Sequence, residues 1–254
     1  LARRLELAVL HHALVGAAEE MGQALRRSAY SPNIKERQDY SCALFDARGR
    51  LLAQAAHLPV HLGSMPASVA AVLAAMRLAP GEVAVVNDPY SGGTHLPDIT
   101  VVAPVYAGRT LLGYTANRAH HADVGGAAPG SMSPQTDLLA EGLVLPPLLL
   151  RTARGARTQT FDLILANTRT PVERAGDLNA QIAACDRGTR RLREIAATLG
   201  RGGLDAAAEG LLDHSRVLMR RNLARLRPGA YAARERLEDD GAGARDITIA
   251  VKLS

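Results

Sequence analysis

Tryptophan is absent from the 254 residues, and only two phenylalanines and six tyrosines are present. Aromatic side chains usually dominate core energetics, so this core must instead be built from Ala, Leu and Val. The two cysteines, Cys42 and Cys185, lie far apart and outside any CxxC spacing. That excludes a disulfide scaffold. Both sit at apolar-face positions and are expected to be buried bystanders. No apolar stretch approaches the length a bilayer span requires. Arg3-Arg4 before Leu7–Ala18 superficially resembles a signal peptide, but Glu6 and His11-His12 interrupt it and Glu19-Glu20 follow. No small-x-small cleavage site is suitably placed, so a cytoplasmic location is expected. Also missing are a Walker A loop, a dinucleotide fingerprint and a Gly-x-Ser-x-Gly elbow. Nucleotide binding by this chain and a covalent nucleophile are therefore not indicated.

Hydrophobic residues make up 47% of the chain and the net charge is +5. The first value is ordinary for a globular protein, and the length suits one large domain or two smaller ones. Basic residues cluster at Arg151, Arg154 and Arg157, at Arg187 to Arg193, and at Arg216 to Arg227. No aromatics interleave with them and acidic residues are spread among them. This argues against nucleic acid and for a solvated helix face, or one that meets an acidic partner subunit.

Periodicity divides the chain. Leu7, Leu10, Leu14, Ala17, Met21 and Leu25 recur at helical spacing, which predicts a helix over 4–28. Residues 40–46 and 50–56 predict two strands joined by a turn at Ala47-Arg48-Gly49. A helix is predicted from Ser64 or Pro66 to about Leu78, ended by Pro80-Gly81. A short strand at Glu82–Val86 runs into a Gly- and Pro-rich loop that ends at Asp98. Strands at about 99–105 and 110–118 follow, and then a second polar loop from His120 to Pro134. Leu178 to Leu199 and Leu204 to Leu226 read as two amphipathic helices joined by Gly200–Gly203, an antiparallel hairpin. Ile247, Ile249, Val251 and Leu253 alternate as in a half-buried strand. The expected fold is α+β: a mixed sheet built largely from hairpins, flanked by amphipathic helices, with a C-terminal helical hairpin. Its expected division is a metal-binding α+β core at 1–170, the hairpin at 171–227, and the start of a further β region at 228–254. Because a strand needs partners, the chain is expected to be a piece of something longer.

Two loops concentrate groups that can bind metal: His95-Leu-Pro-Asp98 and His120-His121-Ala-Asp123. Imidazole with carboxylate suits zinc, manganese or iron better than calcium or magnesium. The alternative is that these residues are loop caps and Asx-turn formers. His57 and His61 are separated by Pro59, which argues against a helical metal pair and leaves them as pocket-lining or bracing residues. His11, His12 and His214 read as surface or boundary residues. Gly92-Gly93 and Gly125-Gly126 would allow close backbone approach to a ligand, and their N–H groups could receive an oxyanion.

At these loops the sequence resembles the hydantoinase B family. The resemblance is carried by Ser31–Asp46 (SPNIKERQDYSCALFD), His57–Pro66 (HLPVHLGSMP), Asn87–Asp98 (NDPYSGGTHLPD), Arg118–Gly126 (RAHHADVGG) and Pro129–Met132. It continues through Glu141-Gly142, Asn167–Arg169 and Gly176–Gln181. The family includes N-methylhydantoinases, 5-oxoprolinase, caprolactamase and the acetone and acetophenone carboxylases. Its members are roughly twice this length, so the resemblance is to their N-terminal half. It implies one divalent metal, zinc or manganese, held by Asp39, His95, Asp98 and His120. It further implies a hydantoinase A-type partner that binds ATP and activates a small cyclic amide or ketone, in a hetero-oligomer without nucleic acid or membrane. The implied reaction is ATP-dependent cyclic amide hydrolysis. Ketone carboxylation and a non-catalytic scaffold are the alternatives. His121, Asp123 and Glu141 are the acid–base candidates, and Ala140 stands where several relatives carry Gln.

Overall fold

The computed structural model describes residues 2–61, 63–130, 135–200 and 202–253, with side chains from residue 7 onward. Leu62, the Ser131–Met132 part of the motif, and Arg201 of the inter-helix link lie outside the described residues.

Helix α1 spans Ala2–Ser28, and its stripe of Leu10, Leu14, Ala17, Met21 and Leu25 is buried. The one-turn helix α2, Pro32–Lys35, leads into strand β1, Tyr40–Asp46, which turns into β2, Leu51–Ala55. Helix α3, Met65–Ala75, ends before the expected Leu78. Strand β3, Val83–Val86, precedes the hairpin of β4, Asp98–Ala107, and β5, Thr110–His120. Three further elements lack a clear local signal in the sequence: α4, Leu138–Glu141; β6, Leu148–Arg151; and α5, Gln159–Ala166. Helix α6 covers Pro171–Leu199, with Pro at the position where a missing N–H costs nothing. Helix α7 covers Gly203–Leu223, and strands β7, Tyr231–Asp239, and β8, Arg245–Leu253, close the chain.

Six strands form one sheet in the order β2-β1-β5-β4-β3-β6. The α+β class is as expected, but every pairing is antiparallel where a mixed sheet was expected. Cys42 and Leu44 of β1 pack with α1, while Ala43 and Phe45 pack with α3 on the opposite face. Helix α6 shares the α1 face, packed against β4 and β5. With helices on both faces, β1 is buried at every position, so it shows no polar–apolar alternation. Gly188 lets α6 approach closely, since a Cβ there would stand 2.3 Å from Met21 Sδ and 2.9 Å from Thr115 Cγ2. Both cysteines are free and buried. Burial pushes the Cys185 thiol up to about 12.

The carboxyl-terminal elements differ. Leu204 and Ala208 of α7 join the core, but the helix beyond them is mostly exposed. Among the described residues, strands β7 and β8 pair only with each other, and every residue of β7 is exposed. Some of the clustered arginines have acidic partners: Arg187 and Arg191 meet Glu20, and Arg151 meets Asp186. Among the described residues no helix is long and apolar enough to cross a membrane.

Candidate metal centre

Three adjacent strand ends build the site. In the β4–β5 hairpin Asp98 lies opposite His120, so register alone brings the two side chains together. Asp98 Oδ1 and His120 Nδ1 are 2.7 Å apart. Asp39 sits just before β1, and its carbonyl accepts the His120 N–H at 2.9 Å. His95 comes from the loop between β3 and β4, whose turn is fixed by the Asp98 N–H bond to the His95 carbonyl at 2.9 Å. One ligand atom each from His95, Asp98 and His120 lie within 4.8 Å of one another.

His61 links Asp39 to this trio. It ends a 3-10 turn at Pro59–His61 and is buried. Its Nε2 lies 3.7 Å from Asp39 Oδ1 and 3.8 Å from Asp98 Oδ2. The Ser41 hydroxyl donates to the Ala56 carbonyl at 2.5 Å, leaving its lone pair for His61 Nδ1 at 3.1 Å. That network assigns the proton to Nδ1 and the free lone pair to Nε2. Asp39 Oδ1 and His61 Nε2 are buried without a hydrogen-bond partner among the described residues. A nitrogen lone pair beside two carboxylates is an electron-rich pocket that fits a cation, and its N/O donors match a transition-metal dication. His61, expected to line a pocket or brace a neighbour, lies between the carboxylates of Asp39 and Asp98. The Pro59 that argued against a helical pair opens the 3-10 turn that delivers it.

Burial alone would raise the Asp98 pKa, but the hydrogen bond from His120 outweighs it and holds the carboxyl well below its usual value. The Thr94 hydroxyl donates to Asp98 Oδ2 at 3.2 Å and in turn accepts from Arg118 Nη1 at 3.3 Å. Arg118 is fully buried beneath the site. Its other acceptors are Thr100, Ser64, Ser68 and the Gly92 carbonyl. Alternation along β5 is silent about it, because that strand is covered on both faces.

The three acid–base candidates are placed differently. His121 is buried and faces α6: Arg174 donates to Nδ1 at 2.7 Å, and Nε2–H donates to Gln181 Oε1 at 2.9 Å. Burial first, and then the Arg174 charge, push its pKa down to about 3. Asp123 accepts from the Thr168 hydroxyl, from the Arg169 N–H and from the Arg169 guanidinium at 2.9, 2.6 and 2.8 Å. Burial would raise its pKa, but those bonds hold it below the ordinary value. Glu141 is the half-buried last residue of α4. The paired glycines face the protein's own backbone. A Cβ on Gly92 or Gly93 would stand 2.5 Å from Ala67 O or 2.1 Å from Asn87 O, and one on Gly125 or Gly126 would stand 2.5 Å from Asn167 O or 2.6 Å from Ala140 O. The close approach they permit is to the protein's own backbone, helices α3 and α4 included.

Comparison with known proteins adds to this geometry. The family model described as hydantoinase B/oxoprolinase matches residues 3–254. An uncharacterized protein of Methanocaldococcus jannaschii is 44% identical over 78% of this chain and 36% of its own length. The 5-oxoprolinase of Saccharomyces cerevisiae is 40% identical over 74% of this chain and 16% of its own. The crystal structure of the ATP-dependent caprolactamase from Pseudomonas jessenii superposes with a TM-score of 0.90 at 33% identity, covering 99% of this chain and 44% of that one. The chain thus spans less than half the length of each of these relatives.

Proposed function

The chain belongs to the hydantoinase B/oxoprolinase family, and on that premise we propose that Asp39, His95, Asp98 and His120 hold one divalent ion, zinc or manganese, for ATP-dependent opening of a cyclic amide ring. The observation that carries the reading is the convergence of His95, Asp98 and His120 at the strand ends. A dication held there supplies Lewis acidity toward a carbonyl and acidifies a bound water. An amide carbonyl is resonance-stabilised and a poor electrophile, so prior phosphorylation of its oxygen makes chemical sense. The chain has no nucleotide fingerprint, and ATP is assigned to a hydantoinase A-type partner. Two relatives are named as one subunit of a larger enzyme, a D-/L-hydantoinase in one case and caprolactamase in the other, which supports such a partner. In the reaction ATP leaves as ADP when the carbonyl oxygen is phosphorylated; one water then breaks the ring C–N bond, leaving its oxygen on carbon and its protons on nitrogen, and a second water hydrolyses the resulting acyl phosphate to carboxylate and phosphate.

This chain's residues divide the work. Asp98 stays ionised across the neutral range and is oriented by Thr94 on one oxygen and His120 on the other. His61, with its lone pair turned to Asp39 and Asp98, completes the electron-rich pocket. His121 has both ring nitrogens engaged and acts by positioning its neighbour His120. Asp123 acts by tying the loop after β5 to Arg169. Glu141 is the remaining candidate for proton transfer.

The test is metal analysis of the chain purified with its partner, followed by ATP turnover with a panel of hydantoins, lactams and ketones. Turnover stimulated by a cyclic amide, and lost in Asp98→Asn, is expected. Stimulation by ketones alone would make the protein a carboxylase. Metal-free full activity would end the reading.

A further inference from the structure

Helix α6 carries a buried polar stripe, Arg174, Asp177 and Gln181, in a position where an amphipathic helix would be apolar. All three side chains are completely buried. The spacing of three and then four residues puts them on one helix face. Gln181 Nε2 donates to the Ile99 carbonyl at 2.9 Å, one residue from Asp98. Gln181 Oε1 and Arg174 grip the two nitrogens of His121, one residue from His120. Asp177 Oδ1 accepts the Tyr30 and Ser31 N–H groups at 2.7 and 3.1 Å. Those residues open α2, and the Asn33 carbonyl of α2 accepts the Asp39 N–H at 3.0 Å. We propose that α6 is the positioning element of the metal centre: one stripe on one helix holds the three separate segments that deliver Asp39, Asp98 and His120.

A purely structural stripe would be expected to bond wherever backbone groups need partners. Here each rung reaches a segment that carries a proposed ligand, which is how outer partners fix ligand geometry. The inference rests on the metal reading above.

The experiment is manganese binding to the full chain, followed by the EPR signal of free manganese at a temperature where every variant is folded. Gln181→Leu removes both side-chain bonds and is expected to weaken manganese affinity about 10- to 100-fold. Gln181→Glu keeps the acceptor for His121 and loses the donor to Ile99, so it serves if the leucine variant fails to fold, with a smaller loss of affinity expected. The control is Leu178→Ala, a buried apolar position on the same helix. It is expected to lower the melting temperature yet bind manganese as the parent does. A second readout is the imidazole nitrogen NMR of His121, with the proton on Nε2 in the parent and the tautomer preference lost in Gln181→Leu. Parent-like affinity in both Gln181 variants would overturn the positioning role while leaving the metal reading intact. Affinity that falls in Leu178→Ala as much as in Gln181→Leu would overturn it too. A parent chain that binds no manganese and no zinc would overturn the metal reading, and this inference with it.

Discussion

Two guanidinium groups are buried on opposite faces of the sheet, and their company differs. Arg174, on the α6 side, has Glu173 beside it, Asp177 Oδ2 at 3.2 Å and the His121 ring at 2.7 Å. Arg118, on the α3 side, donates only to hydroxyls and a backbone carbonyl, with no carboxylate within salt-bridge distance among the described residues. Burial pulls the Arg118 pKa down, and the charge of Asp98 opposes that pull. The charge of Arg174 is therefore balanced where it sits, whereas that of Arg118 is balanced by Asp98, through Thr94. Arg174 is neutralised by carboxylates of its own helix, and Arg118 by a carboxylate of the site reached through a hydroxyl.

The sharpest way to break this contrast is to remove each cation. Arg174→Met strands the buried Asp177 carboxylate and is expected to cost about 3–5 kcal/mol of stability in denaturant unfolding. Arg118→Met leaves hydroxyls that still have acceptors, Ser68 to Gly92 and Ser64 to His61. It is expected to cost only about 1–3 kcal/mol. Equal costs would erase the distinction.

Acid titration probes the α6 side through His121. An imidazole pushed down to about 3 in the fold is protonated first in the unfolded chain, where its value is about 6.5. Its contribution is complete above pH ~6.5 and is lost as pH falls toward about 3. Asp98 is depressed instead, so its contribution is present above the unfolded carboxyl value of about 3.9 and lost only below that. Stability between pH ~6.5 and ~4 therefore reports His121 together with His57, whose pKa burial also lowers, and His121→Asn is expected to reduce the slope of that stretch of the curve. The smallest effect lies far from both arginines. Ile249→Thr on the exposed ribbon is expected to change the stability of this chain by no more than about 0.5 kcal/mol.

Helix α1 and strands β1 to β5 were legible, because their spacing and turn residues are local signals. So were His95, Asp98 and His120, which stand in polar loops at strand ends. Asp39 emerged only from family resemblance, since nothing in its spacing ties it to partners remote in the chain. Strand β6 was missed because its pairing with β3 is long-range and three leucines followed by an arginine, without alternation, suit any element. Arg118 and Arg174 were illegible for a further reason. A charged residue is read as solvated by default, and only tertiary packing reveals that hydroxyls or carboxylates receive it. The paired glycines are legible as points of close backbone approach, and only tertiary packing shows that the protein's own backbone stands there.

The most direct measurement is a manganese and zinc titration of the purified chain beside Asp98→Asn and His120→Ala. One ion per parent chain and no stoichiometric binding in either variant are expected. Tight one-to-one binding that survives both substitutions would contradict the proposed centre.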